Sequence, residues 1–155
     1  MSIDTDSLTQ IEQALTTLLG RGNLPRMHDR LMQATGMNLE RAAYVVVSRL
    51  GDIGAMRLSD LAANLGLDIS TVSRHVAQLE RDGFIDRQPD PSDGRSTILE
   101  VTSKGEQALE RVRKARRVGL AKLLSTWSPD DLGHLSRSLD RLASDVIVFT
   151  TSDQE

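Results

Sequence analysis

Between Leu58 and Val101 the chain runs through two short helical patterns, a three- or four-residue turn, and two strand-like segments around a cluster of turn formers, and few folds can hold that order. Residues 59–65 form the first helix, Gly66-Leu67 the turn, and Asp68 stands as the N-cap of the second helix. Ile69, Val72, Val76 and Leu79 make one apolar face of that helix, which leaves Ser70, Thr71, Arg74, His75, Gln78 and Arg81 on the other. Residues 84–88 and 97–101 alternate as strands on either side of residues 89–95. Pro89 and Pro91 are expected to forbid pairing along the N-terminal side of the tip, so that it projects. The segment reads as a helix-turn-helix with an exposed second helix and a hairpin behind it, a winged helix.

The flanks are helical. Leu8, Ile11, Leu15 and Leu18 set an apolar stripe over residues 7–19, Gly20 to Pro25 interrupt it, and a further helix follows over residues 26–34. Asn38 is read as the N-cap of a helix bearing Leu39, Ala42, Ala43, Val46, Val47 and Leu50, ended by Gly51 and Gly54. Ser103 and Glu106 match a capping box at the start of a long helix reaching about Ser125. Ser128-Pro129-Asp130-Asp131 opens the last helix, in which Leu132, Leu135, Leu139, Leu142, Val146 and Phe149 recur at spacings of three and four. Such a seam must be buried, either inside a single-chain bundle or across a two-fold axis that pairs the terminal helices of two copies through Leu8, Ile11, Leu15, Leu135, Leu139, Leu142 and Val146. The expected organisation is a mainly α chain of about six helices with one small hairpin. Residues 1–57 support the lobe and the dimer, residues 58–104 are the winged helix-turn-helix, and residues 105–155 are long dimerisation helices.

Composition removes several function classes. Without cysteine there are no disulfides, thiolate metal sites or cysteine nucleophiles, and the three histidines at 28, 75 and 134 lack paired-ligand spacing, so neither metal nor cofactor is expected. No apolar run approaches the roughly 18 residues of a membrane helix, and acidic residues stand where a signal peptide would be basic. A soluble, cytoplasmic protein follows as the expectation. No nucleophile–base pair, carboxylate pair or phosphate-cradling glycine loop points to an enzyme.

The stretch LSDLAANLGLDISTVSRHVAQLERDGFIDRQPDPSDGRSTILEVTSKG, from Leu58 to Gly105, resembles the winged helix of the multiple-antibiotic-resistance regulator (MarR) family. STVSR, LERDGFIDR and the D-x-R of Asp93-Gly94-Arg95 carry the likeness, and Val101 replaces the usual leucine. The resemblance implies a homodimer that binds double-stranded DNA at a palindromic operator and represses transcription. It also implies minor-groove entry by Arg95, backbone contact by Arg87 and a supporting role for Asp93. By residue chemistry, Arg74, His75 and Gln78 can reach base edges in the major groove, while Ser70, Thr71 and Ser73 suit phosphates. Each also reads as an ordinary solvated helix residue.

A small aromatic anion as effector is a further implication of the resemblance, with His28, Met32 and Tyr44 on the helices that would wall its pocket; Met32 also reads as core and His28 as a histidine satisfied locally. Residues 57–104 carry six basic against eight acidic side chains, so a basic DNA-binding surface must come from segregation. The basic run over residues 111–117 reads as a solvated face, a flanking phosphate contact or an attractor of anions. Two alternatives stay open: a regulator without a ligand, and a helical dimer whose lobe docks protein.

Overall fold

In the computed structural model, which describes residues 4–20 and 23–152, the order is α1 (Thr5–Leu19), α2 (Asn23–Thr35), α3 (Arg41–Ile53), α4 (Leu58–Leu65), α5 (Ile69–Arg81), β1 (Ile85–Asp90), β2 (Asp93–Val101), α6 (Ser103–Leu123) and α7 (Pro129–Ser152). Seven helices and one antiparallel hairpin therefore stand among the described residues, against the about six helices expected. The chain divides into two units, Met1–Arg116 and Arg117–Glu155.

The first unit is built on one apolar core. Val46, Val47 and Leu50 of α3 meet Leu61 of α4, Val72, Val76 and Leu79 of α5, Ile85 and Leu99 of the hairpin, and Leu109 and Val112 of α6. Burying each such side chain contributes about 1.5–3 kcal/mol, which outweighs any single polar contact at the surface. The tight turn between α4 and α5 depends on Gly66 at φ +62°, where Leu67 N donates to Ala62 O and Gly66 N to Ala63 O. The second unit contains α7, whose start has the expected cap: Ser128 Oγ donates to Asp131 Oδ2 at 2.6 Å and accepts from Asp131 N at 3.1 Å.

Several local expectations need correction. Asn38 is not a cap; α3 begins at Arg41 after Glu40, and Leu39 is buried in the connection. Asp68 does occupy the N-cap position of α5 but makes no side-chain capping bond. The start of α6 is capped by Thr102 rather than Ser103, with Gly105 N donating to Thr102 Oγ1 at 3.1 Å while that hydroxyl donates to Gly83 O at 2.6 Å. Thr102 wins because one hydroxyl there joins the end of α5 to the start of α6.

The hairpin tip is shorter than expected. The ladder runs from Ile85↔Val101 out to Pro89↔Thr97 and Asp90↔Asp93, with an irregularity at Pro89/Asp90, leaving only Pro91 and Ser92 as the turn. Pro89 is tolerated because β1 is the outer strand: the other side of β2 is taken by Met56, whose N and O exchange hydrogen bonds with Leu99.

Gly105 lies where α6 passes closest to the base of the hairpin. A Cβ there would sit 2.3 Å from the carbonyl oxygen of Phe84 and 2.6 Å from Val101 Cγ1, and a backbone carbonyl cannot rotate away. Gly105→Ala should destabilise the protein by roughly 1–3 kcal/mol, seen as a lower thermal midpoint, despite alanine's better helix propensity. An unchanged midpoint would mean that the start of α6 is free to shift.

Candidate nucleic-acid interface

Helix α5 is held from behind by α3, α4 and β1, so its outward residues are set by which ones pack inward. Val72, Val76 and Leu79 are fully buried. Ser70 and Arg74 are exposed, and Thr71, Ser73 and Gln78 are half-buried at the margins of the same face. None of these five side chains makes a hydrogen bond or ion pair among the described residues, which leaves their donors available to an external acceptor.

Two residues exchange places relative to the sequence reading. His75, expected on the exposed face, is buried with 7% of its surface accessible, and it cannot reach a base edge from there. Ile69, expected in the core, is exposed. Positions 72, 75, 76 and 79 follow the i, i+3, i+4, i+7 spacing of a helix face, and that signal was available in the sequence. Ile69 opens the helix, beyond the packed layer, whereas His75 lies at its middle.

The hairpin carries the second group. Arg95 is exposed near the tip, and its guanidinium has no partner among the described residues. Asp93 shapes the chain around it, accepting from Arg95 N at 3.1 Å and from Ser96 Oγ at 2.9 Å. Arg87 is already engaged, with Nε donating to Glu80 Oε1 at 2.9 Å, so it ties the hairpin base to α5. A contact that the sequence did not suggest anchors the tip: Asp90, buried at 7% exposure, accepts from Arg57 Nε at 2.8 Å, from Ser92 N at 2.8 Å and from Ser92 Oγ at 2.7 Å. Arg57 and Asp90 lie 33 positions apart, and no periodicity connects them.

The residues considered for an effector come together differently. His28 Nε2 is 2.9 Å from Leu39 O, and its ring lies 5.7 Å from that of Tyr44. Arg116 bonds the Tyr44 hydroxyl and stands 6.0 Å from its ring, while Met32 is buried in the core. The basic run is partly spent on packing, since Arg113 also pairs with Asp52 at 3.2 Å. On α1, Leu8, Ile11, Leu15 and Leu19 line an open apolar groove. On α7, Leu139, Leu142 and Val146 are exposed and Leu135 is half-buried.

Comparison with known proteins agrees with this geometry. A sequence model of the MarR family matches residues 39–97. The HTH-type transcriptional regulator YxaD of Bacillus subtilis (strain 168) is 36% identical over 132 residues, which cover 85% of this chain and 90% of that protein. Among solved structures, a MarR family protein from Bacillus stearothermophilus aligns with a TM-score of 0.82 at 21% identity, covering 94% of this chain and 99% of its own. RV1404 from Mycobacterium tuberculosis aligns at 0.73 and 23% identity, covering 93% and 95%. At these identities the two structures speak for the fold alone.

The anchored carboxylate of the hairpin gives a measurable signature. The Ser92 hydroxyl and amide, and then Arg57, hold Asp90 in its charged form, lowering its pKa from 3.8 to about 2 against the opposing effect of burial. A folded-state pKa below the unfolded one stabilises the fold above about pH 4, and that contribution is lost as pH falls from there toward 2. Asp90→Asn should therefore be less stable than the parent at neutral pH, with the gap narrowing as acid is added. Denaturant midpoints measured stepwise down to pH 2.5 check this, and a gap independent of pH would remove the charge of Asp90 from the account.

Proposed function

The chain belongs to the MarR family of helix-turn-helix transcriptional regulators, and from that premise and the geometry of the lobe we propose that it binds a palindromic operator as a homodimer and represses transcription by occupying it. Members of the family are DNA-binding regulators, not enzymes. The observation that carries the reading is the face of α5, where Ser70, Thr71, Ser73, Arg74 and Gln78 hold unspent donors beside a hairpin whose tip presents Arg95. In this reading α5 enters the major groove, with Arg74 paired to a guanine edge and the hydroxyls near its N-terminus on phosphates. Arg95 enters the adjacent minor groove. Arg87, bound to Glu80 through Nε, touches the backbone only with its remaining nitrogens.

The dimer rests on apolar surface that a single chain leaves in water. Leu8 is 48% exposed on α1 and Leu139 is 54% exposed on α7, each within a stripe at helical spacing. A second copy covers both stripes, and its two-fold axis gives two recognition helices for two half-sites. No helix among the described residues is long and apolar enough to cross a membrane, so the exposed stripes are not spans. An aromatic carboxylate as effector is the finest part of the reading. It is supported by the Tyr44 and Arg116 pair beside His28, and such a compound should lower operator affinity by favouring the state with lobes wrongly spaced for DNA.

Three expected outcomes test the reading. Leu139→Glu should abolish dimers in sedimentation at micromolar concentration and greatly weaken operator binding while leaving the lobe folded; a parent protein that sediments as a monomer would sink the architecture. Arg74→Ala should cost about 1–3 kcal/mol on the preferred site and relax discrimination at one base position per half-site. Arg95→Ala should weaken every site and flatten the preference for A·T-rich flanks. Equal losses across all operator variants, measured at one fixed salt concentration, would show that neither residue reads sequence. A lobe that docks protein instead would retain no DNA fragment even at low salt.

A further inference from the structure

We propose that Arg57 is the positioning residue of the wing, aiming Arg95 from the start of α4 through the carboxylates of Asp90 and Asp93. The inference rests on the reading that Arg95 enters a groove of DNA. Arg57 caps α4 in position, with extended backbone, and follows directly on Met56, which bridges β2 at Leu99. Its Nε and Nη2 reach the same oxygen, Asp90 Oδ2, at 2.8 and 2.6 Å. The other oxygen, Oδ1, accepts the amide and hydroxyl of Ser92 in the turn itself. One buried carboxylate thus joins the tip of the hairpin to the first helix of the helix-turn-helix.

A second connection runs to Asp93. Arg57 Nη2 lies 3.9 Å from Asp93 Oδ2, and the same carboxylate receives the amide of Arg95. The guanidinium is therefore two contacts from the residue whose placement matters. An isolated two-stranded ribbon is marginal and would swing about its base, and the bridge at Met56 pins β2 only at Leu99, close to that base. The planar fork of arginine suits the task because Nε and Nη2 together grip Asp90 Oδ2 and so hold Nη2 toward Asp93, a direction that the single point of an ammonium does not fix.

The Arg57 side chain is 42% exposed, so a direct contact of its own with phosphate is the rival role. A mutant cycle in the full-length protein separates them, using DNA obtained by in vitro selection and binding measured at one salt concentration. Arg57→Gln and Asp90→Asn should each weaken binding on the order of tenfold and flatten the preference for A·T-rich flanks although Arg95 is present. In an Arg95→Ala background neither should add a further loss, and Arg57→Lys should recover little. Losses that multiply with Arg95→Ala, recovery by lysine, or binding unaffected by Arg57→Gln would each overturn the proposal while leaving the DNA-binding reading intact. If the parent retains no DNA, or Arg95→Ala binds like the parent, the reading of the wing fails and the proposal with it. Thermal melting verifies folding, and if Arg57→Gln does not fold, the cycle is run with Arg57→Lys, where a multiplied loss again overturns.

Discussion

The burial of Val72, Val76 and Leu79 against the rest of the core fixes the rotation of α5 about its own axis, and that rotation decides what the lobe offers to a partner. Interiors packed at crystal-like density do not let a helix roll by a fraction of a turn without opening a cavity or forcing a clash. With the three aliphatic residues inward, Arg74 and Ser70 point out and His75 is carried in with its neighbours. The outward face is thus a consequence of packing and not of any contact that its own residues make. Gly66 contributes from the other end, because its left-handed backbone closes the turn in the few residues available and sets α4 across α5.

Much of this order was legible in the sequence because it is periodic or punctuated. The apolar spacing of α5, the turn at Gly66, the alternation of the strands and the Ser128–Asp131 cap each leave a local pattern, and each element stands where the pattern puts it, with the strands running further toward the tip. The features that were missed leave none. Met56 bridges β2 through backbone groups, so the bridge leaves no side-chain pattern in the sequence. Arg57 and Asp90 are joined by tertiary folding across 33 positions. Pro89 was read as a stop because proline cannot donate to a ladder, but whether that matters depends on which edge of the strand is outermost, a property of the sheet. Within the candidate interface the same division holds. The helical face was readable apart from two exchanged residues, His75 and Ile69, while the engagement of Arg87 by Glu80 was not.

Charge in the first unit is arranged by pairing more than by number. The lobe has more acids than bases, yet Asp90 and Glu80 are each neutralised by an arginine within it, and Arg113 and Arg116 are committed to Asp52 and Tyr44. The exposed pairs among these, unlike the one at buried Asp90, are worth little in stability, about 0–1 kcal/mol each, so their larger effect is on which side chains remain open. Arg74 and Arg95 are among those that stay open, and both sit on the elements that the proposed reading sends into the grooves. Acidic neighbours such as Asp60, Asp68 and Asp86 then act against indiscriminate attraction to phosphate, which lowers non-specific affinity and leaves the balance to directed contacts.

That balance explains why the exposed apolar stripes matter to the reading as much as the lobe does. A lobe with few open cations and an acidic surplus gains little from the phosphate backbone, and the counterion release that anchors more basic proteins is small for it. Linking two such lobes through a dimer makes the second docking event intramolecular, at an effective concentration set by the scaffold, so the pair can hold an operator that one lobe would release. The free energy for that linkage must come from elsewhere in the chain. The uncovered leucines and valines of α1 and α7 are a source of the right kind, since apolar burial is insensitive to the salt that weakens phosphate contacts. On the proposed reading protein concentration governs occupancy through the dimer equilibrium, salt governs it through Arg74, Arg95 and the phosphates, and the two dependences are separable because they arise on different elements.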